Sequence, residues 1–183
     1  MIFEELALPG AFRIGLEKKE DGRGYFSRTF CVREFSERGL DVSLVQCNTS
    51  FNRNRGTLRG LHWQAAPHGE AKLVRVTRGS LWDVMVDLRP QSPTFRQWHG
   101  EVLDEDNGVM LFIPEGFAHG FVTLRENTEL FYQMSTPYDA ASARGARFDD
   151  PAFNIAWPAL DNLIVSDRDL AFPAFNTAFP DRQ

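Results

Sequence analysis

Ten short apolar or β-branched segments, most of them closed off by Gly, Pro, Asn or Asp, follow one another along the chain: 12–16, 25–31, 43–50, 57–64, 71–77, 81–88, 95–101, 109–113, 120–124 and 129–135. That rhythm leaves no room for long helices between strands. It predicts an all-β chain, either a sandwich or a barrel. Helix is expected only at 32–38 and just after Ser166, for a turn or two each. No internal repeat, low-complexity tract or Gly/Ser linker divides the 183 residues, so residues 1–183 are expected to form a single domain.

Composition narrows the setting. No apolar run approaches the roughly 18–20 residues that a membrane helix needs. The start, Met1-Ile2-Phe3-Glu4-Glu5, lacks the basic and apolar regions of a secretory signal. Two cysteines, Cys31 and Cys47, are too few for a disulfide scaffold. A cytoplasmic location without membrane contact is the expectation. With a net charge of -5 and a pI near 5.4, the chain lacks the broad basic face that nucleic acids require. A small anionic ligand needs only a few local cations. Seventeen of the twenty basic residues are arginine, and Lys72 is the only lysine after Lys19.

Leu81-Trp82-Asp83-Val84-Met85-Val86-Asp87-Leu88 alternates, with apolar residues at every even position and two carboxylates at odd ones. If Arg78-Gly79 is a two-residue turn, Val74 opposes Asp83 and Lys72 opposes Met85, which makes Lys72 and Asp83 diagonal neighbours. That pair reads either as a polar pocket or as an edge ion pair. A similar turn at Glu126-Asn127 sets Phe121 against Tyr132 and puts His119 and Tyr132 on one face. A one-residue slip would separate them.

Of the four histidines, His68 and His99 read as surface residues. His62 and His119 sit among glycines and apolar residues. Gly108-x5-Pro114-x-Gly116-x2-His119 resembles the second motif of the cupin superfamily, small jelly-roll barrels of the double-stranded β-helix type. The first cupin motif keeps only its leading histidine, in His62-Trp63-Gln64. That leaves at most His62, His119 and Glu70 for a metal, and none is expected.

The fuller resemblance is to the dTDP-4-dehydrorhamnose 3,5-epimerases, metal-free cupins of deoxysugar biosynthesis. The motifs run in order along nearly the whole chain: Asp21-x-Arg23-Gly24-x-Phe26, Val45-Gln46-x-Asn48-x-Ser50, Leu58-Arg59-Gly60-Leu61-His62-x-Gln64, Lys72-Leu73-Val74-Arg75-Val76-x-Arg78-Gly79, Asp83-x-x-x-Asp87-Leu88-Arg89, Ser92-Pro93-Thr94-Phe95, Ile113-Pro114-Glu115-Gly116-Phe117-Ala118-His119-Gly120-Phe121 and Trp157-Pro158.

The resemblance implies a cofactor-free epimerase of a nucleotide-linked 4-keto-6-deoxyhexose, acting at carbons 3 and 5, or at one of them. Such chemistry needs a base, an enolate stabiliser and an acid on the opposite ring face. His62 matches the family's base, and an imidazole of ordinary pKa near 6.5 suits that work. Asp169 matches the carboxylate that orients His62, although Ser166-x-x-Asp169 also reads as a capping box. Lys72, with His119 and Asp83, belongs near the ketone oxygen. Tyr132 matches the acid.

Arg23, Phe26, Gln46, Asn48, Arg59, Tyr138 and Arg168 match positions around the nucleotide. Strict alternation would turn Arg59 away from His62, unless Gly60 forms a bulge or Arg59 serves a neighbouring subunit. Arg28, Ala143, Cys47 and Arg168 depart from the residues usual in the family, which leaves the nucleobase open. The resemblance also implies a homodimer.

Overall fold

The structure, a computed structural model, describes residues 1–40 and 43–175. In chain order the strands are β1 (Ile2–Glu5), β2 (Phe12–Gly15), β3 (Lys19–Asp21), β4 (Gly24–Phe26), β5 (Gln46–Asn52), β6 (Thr57–Gln64), β7 (Lys72–Arg78), β8 (Ser80–Asp87), β9 (Trp98–Asp104), β10 (Met110–Ile113), β11 (Phe117–Thr123), β12 (Thr128–Met134), β13 (Ala143–Gly145) and β14 (Ile164–Val165). The helices are short: α1 (Val32–Ser36) and α2 (Asp167–Leu170). The all-β expectation holds. The segment expected as strand over 25–31 pairs only through Phe26, and part of the segment expected over 43–50 begins next to positions outside the described residues.

Two sheets face each other. One has the order β1-β2-β10-β7-β12-β5. The other runs β13-β6-β11-β8-β9, with β14 added beside β6. Leu81, Met85, Leu103, Phe117 and Phe121 of the second sheet meet Val74, Val76, Leu111, Ile113 and Leu130 of the first, and all are buried. This is the jelly-roll arrangement expected of a cupin-type barrel.

The alternation in β8 acquires a physical meaning here. Its odd residues Leu81 and Met85 join the core between the sheets, whereas its even residues Val84 and Val86 pack outward against Ala146 and Phe153. A segment near the C-terminus therefore covers the all-apolar face. The face carrying Asp83 points inward.

Both expected hairpins are corrected. Strand β7 pairs with β10 and β12, and β8 pairs with β9 and β11. Lys72 lies opposite Ile113 and Met134, and Asp83 lies opposite Phe121 and Glu101. At Gly79 (φ 79°) the chain turns a corner from one sheet into the other, and a Cβ there would meet Thr128 Cα at 2.9 Å. A corner of this kind uses the same left-handed glycine that a two-residue hairpin does. Likewise Tyr132 pairs with Asn48 and Val74, not with Phe121. The consequences for the site survive by another route, because Lys72 and Asp83, like His119 and Tyr132, face each other across the space between the sheets.

Candidate active site

Where the hydrocarbon core gives way to polar side chains, an open cavity of about 250 Å³ forms between the sheets. The second sheet contributes His62 and Arg59 from β6 and His119 from β11; the first contributes Lys72 from β7 and Tyr132 from β12. His62 and His119 are directly paired neighbours. Lys72 and Tyr132 sit on adjacent strands, two positions out of register, on one face.

A local irregularity makes this set possible. Between β6 and β11 the register shifts, so that His62 pairs with His119 while Arg59 pairs with Phe121. One extra residue on β6 reverses the side-chain parity, and Arg59 enters the same cavity as His62. Gly60 (φ 132°) is required there, since a Cβ would lie 2.6 Å from Gly120 Cα. The bulge expected at Gly60 is present. The Arg59 guanidinium is fixed by donating from Nε to Asn52 Oδ1 at 2.8 Å.

His62 is oriented from α2. Its Nε2 lies 2.8 Å from Asp169 Oδ1, and Asp169 Oδ2 accepts the Gly60 backbone N–H. Burial alone would raise the Asp169 carboxyl, but the His62 bond and charge and the Gly60 N–H outweigh it and hold the acid below the ordinary carboxylate range. An ionised carboxylate only accepts, so Nε2 carries a proton, and the neutral tautomer compatible with that bond has its lone pair on Nδ1. The ring of Phe172 meets His62 edge-on at 5.8 Å. Ser166 Oγ accepts the Asp169 backbone N–H as a helix cap. Half of the capping-box reading therefore holds: Ser166 caps the Asp169 amide, while the Asp169 carboxylate goes to His62 and Gly60 rather than back to the helix start.

A second imidazole and carboxylate pair stands behind the first. His119 Nε2 is 2.8 Å from Asp83 Oδ2. Asp83 is fully buried, and its Oδ1 has no hydrogen-bond partner among the described residues. Desolvation pushes this acid up, against the pull of His119 and Lys72. Lys72 Nζ pairs with Glu70 Oε1 at 2.6 Å. The Tyr132 hydroxyl makes no hydrogen bond among the described residues. Burial raises its phenol above the ordinary tyrosine range, Arg59 lowers it and Glu70 raises it further.

Arg168 and the half-exposed Tyr138 also line the cavity. Gln46 and Asn48 do not line it. Gln46 Oε1 instead accepts the Tyr138 backbone N–H at 3.0 Å, and the Asn48 amide contacts Met134 Sδ. Arg23 and Phe26 lie elsewhere, on the exposed ribbon β3–β4, with Arg23 bonded to Asp21. Arg28 is engaged by Glu34 at 2.6 Å. His68 is exposed as expected, whereas His99 is half-buried on β9 beside Glu101. The sequence reading missed Arg144, Trp63 and Ser50 in the cavity wall. Arg144 lies on a three-residue strand with no periodicity to read.

Among the described residues no three His, Cys, Asp or Glu side chains gather as metal ligands. His62 and His119 face different carboxylates, and Glu70 faces Lys72. Arg59, Lys72, Arg144 and Arg168 line the cavity against the single carboxylate of Glu70. A chain of net negative charge thus presents a cationic cavity, suited to an anionic ligand.

Fold and site together define a cupin-type barrel with ionisable side chains of two facing sheets gathered in one cavity. Residues 5–177 match the family described as dTDP-4-dehydrorhamnose 3,5-epimerase. A relative of that name from Sinorhizobium fredii is 43% identical over 174 residues, covering 95% of this chain and 89% of its own. The crystal structure of dTDP-4-dehydrorhamnose 3,5-epimerase from Elizabethkingia anophelis NUHP1 superposes with a TM-score of 0.92 at 37% identity, covering 96% of each chain. That of the Bacillus anthracis enzyme with TDP and PPi bound gives 0.91 at 37% identity, covering 95% of this chain and 99% of its own. The chain belongs to the dTDP-4-dehydrorhamnose 3,5-epimerase family. Among the described residues no helix is long and apolar enough to cross a membrane.

Proposed function

We propose that this protein inverts carbons 3 and 5 of a thymidine-diphosphate-linked 4-keto-6-deoxyhexose by way of enolate intermediates. One observation carries the reading: His62 and Tyr132 project from opposing sheets into one cavity, with the Lys72 ammonium on the Tyr132 side. In a gluco-configured chair the hydrogens on carbons 3 and 5 are both axial on the same face, so one base can serve both. His62 Nδ1 removes each proton, and Asp169 stabilises the imidazolium that forms. Lys72 and His119, the latter held by Asp83, face the keto oxygen and stabilise the enolate. Tyr132 then protonates the carbon from the opposite face, which is what converts exchange into inversion. Before the second carbon reacts, the His62 imidazolium releases its proton to water and the Tyr132 phenolate takes one up.

The cavity volume is near the lower end of ligand sites and accommodates the sugar, not the whole nucleotide. Arg59, Arg144 and Arg168 at its wall suit the diphosphate, and Tyr138 offers a face for the base. Gln46 shapes that region through the Tyr138 backbone. Arg23 and Phe26, exposed on a ribbon paired with neither large sheet, would complete the nucleotide site of a second copy. A homodimer follows from that reading. The whole chain acts as one domain, without cofactor, and the free thiols of Cys31 and Cys47 suit the cytoplasm.

The test is turnover of dTDP-4-keto-6-deoxyglucose followed by proton NMR. Inversion at both carbons is expected. Inversion at one carbon would reassign the protein as a monoepimerase, and no turnover would end the enzymatic reading. Arg23→Ala should weaken binding of thymidine diphosphate, and sedimentation should give twice the chain mass.

A further inference from the structure

Glu70 is the only carboxylate lining the cavity among the described residues, and four cationic side chains share the wall with it. A negative charge in a site for an anionic substrate opposes binding unless it has a task. Its side chain is 3% exposed, and both oxygens are engaged. Oε1 pairs with Lys72 Nζ at 2.6 Å, and Oε2 accepts the Gln64 backbone N–H at 3.0 Å. Gln64 lies two residues after His62 on β6. Lys72 begins β7 in the other sheet, and its ammonium has no other hydrogen bond or ion pair among the described residues. The Glu70 carboxylate is therefore a bridge between the ammonium and the strand that carries the base.

We propose that Glu70 is a positioning residue of the epimerisation, fixing the Lys72 ammonium against the keto oxygen and setting its distance from His62. This rests on the function proposed above. A four-carbon lysine stem left free would sample many rotamers, and small misplacements in an active site are costly in rate. The charge has a second effect. The charged and titratable groups that share the cavity with Tyr132 are Arg59 and His62 from β6, His119 from β11 with Asp83 behind it, Arg144 from β13, Arg168 from α2, Tyr138, and Lys72 from the adjacent strand β7. Glu70 is the lining carboxylate that opposes ionisation of the phenol.

The experiment compares Glu70→Ala, Glu70→Gln and Glu70→Asp with the parent protein, each checked by circular dichroism and by binding of thymidine diphosphate. In Glu70→Ala, kcat should fall about tenfold to a hundredfold, while KM stays equal or drops because a repelling charge is gone. Glu70→Gln, which keeps one acceptor, should recover part of kcat. The alkaline limb of kcat should move to lower pH in the Ala and Gln variants and stay in place in Glu70→Asp. Independently of turnover, the 15N-labelled protein should show one protected lysine ammonium signal, because Lys18 and Lys19 are exposed and Lys72 is buried. That signal should vanish in Glu70→Ala. Failure of the parent to turn over the keto sugar would fault the proposed function and leave the ammonium signal to decide the bridge. A signal that persists in Glu70→Ala, or parental kcat and pH profile in that variant, would overturn the inference.

Discussion

Asp169 serves His62 as an ionised group, and this has consequences that separate it from an ordinary helix-capping acid. Asp169→Asn keeps the size of the side chain but removes the charge that fixes the imidazole tautomer, so kcat should fall by at least about a hundredfold with little change in KM. Because its folded pKa is depressed, Asp169 adds stability above the ordinary carboxylate range and loses it as pH falls through the lowered value. Urea unfolding should find Asp169→Asn less stable than the parent at neutral pH, with the gap closing as pH falls below the ordinary carboxylate range and through the lowered value. A constant gap would mean that the contribution is not ionic. Tyr132 works in the opposite sense: burial keeps its phenol protonated beyond the ordinary tyrosine value near 10. Its ionisation should therefore not limit activity until above that pH, as a pH–rate profile can show.

At the scale of elements, the site depends on a bulge and a corner that alternation alone does not reveal. The period-2 pattern identified β6 with the bounds later observed, yet a strict reading of it sent Arg59 outward. Only the shifted register at Gly60 corrects that. Gly60→Ala should cost about 2–4 kcal/mol, since it adds overlap with Gly120 to an unfavourable φ, and denaturant titration measures it directly. A loss below about 1 kcal/mol would show that the bulge relaxes.

The corner at Gly79 escaped for a different reason. Sequence spacing reports that the chain turns, but not whether the next strand returns beside the last or crosses to the facing sheet. That choice is made by long-range pairing, in which β7 and β8 each find partners far along the chain. The cavity-facing residues were legible because their chemistry is rare in a strand: one late lysine, two glycine-flanked histidines and a tyrosine. Arg144, on a very short strand, carried no such signal, and Glu70, at the end of a loop, stood out only as a possible metal ligand.

At the scale of the whole molecule, two sheets that close over a core also set a phenol and an imidazole on opposite walls. The architecture supplies facial separation that neighbouring residues on one strand could not. Epimerisation requires that separation, so the two groups should fail in different ways when removed. The decisive measurement is turnover of the keto sugar in D2O by the parent, His62→Asn and Tyr132→Phe, followed by NMR. The parent should give inverted carbons bearing deuterium, His62→Asn should give neither exchange nor inversion, and Tyr132→Phe should exchange deuterium while retaining configuration. Inversion by Tyr132→Phe at the parental rate would contradict delivery of the proton from the opposite sheet.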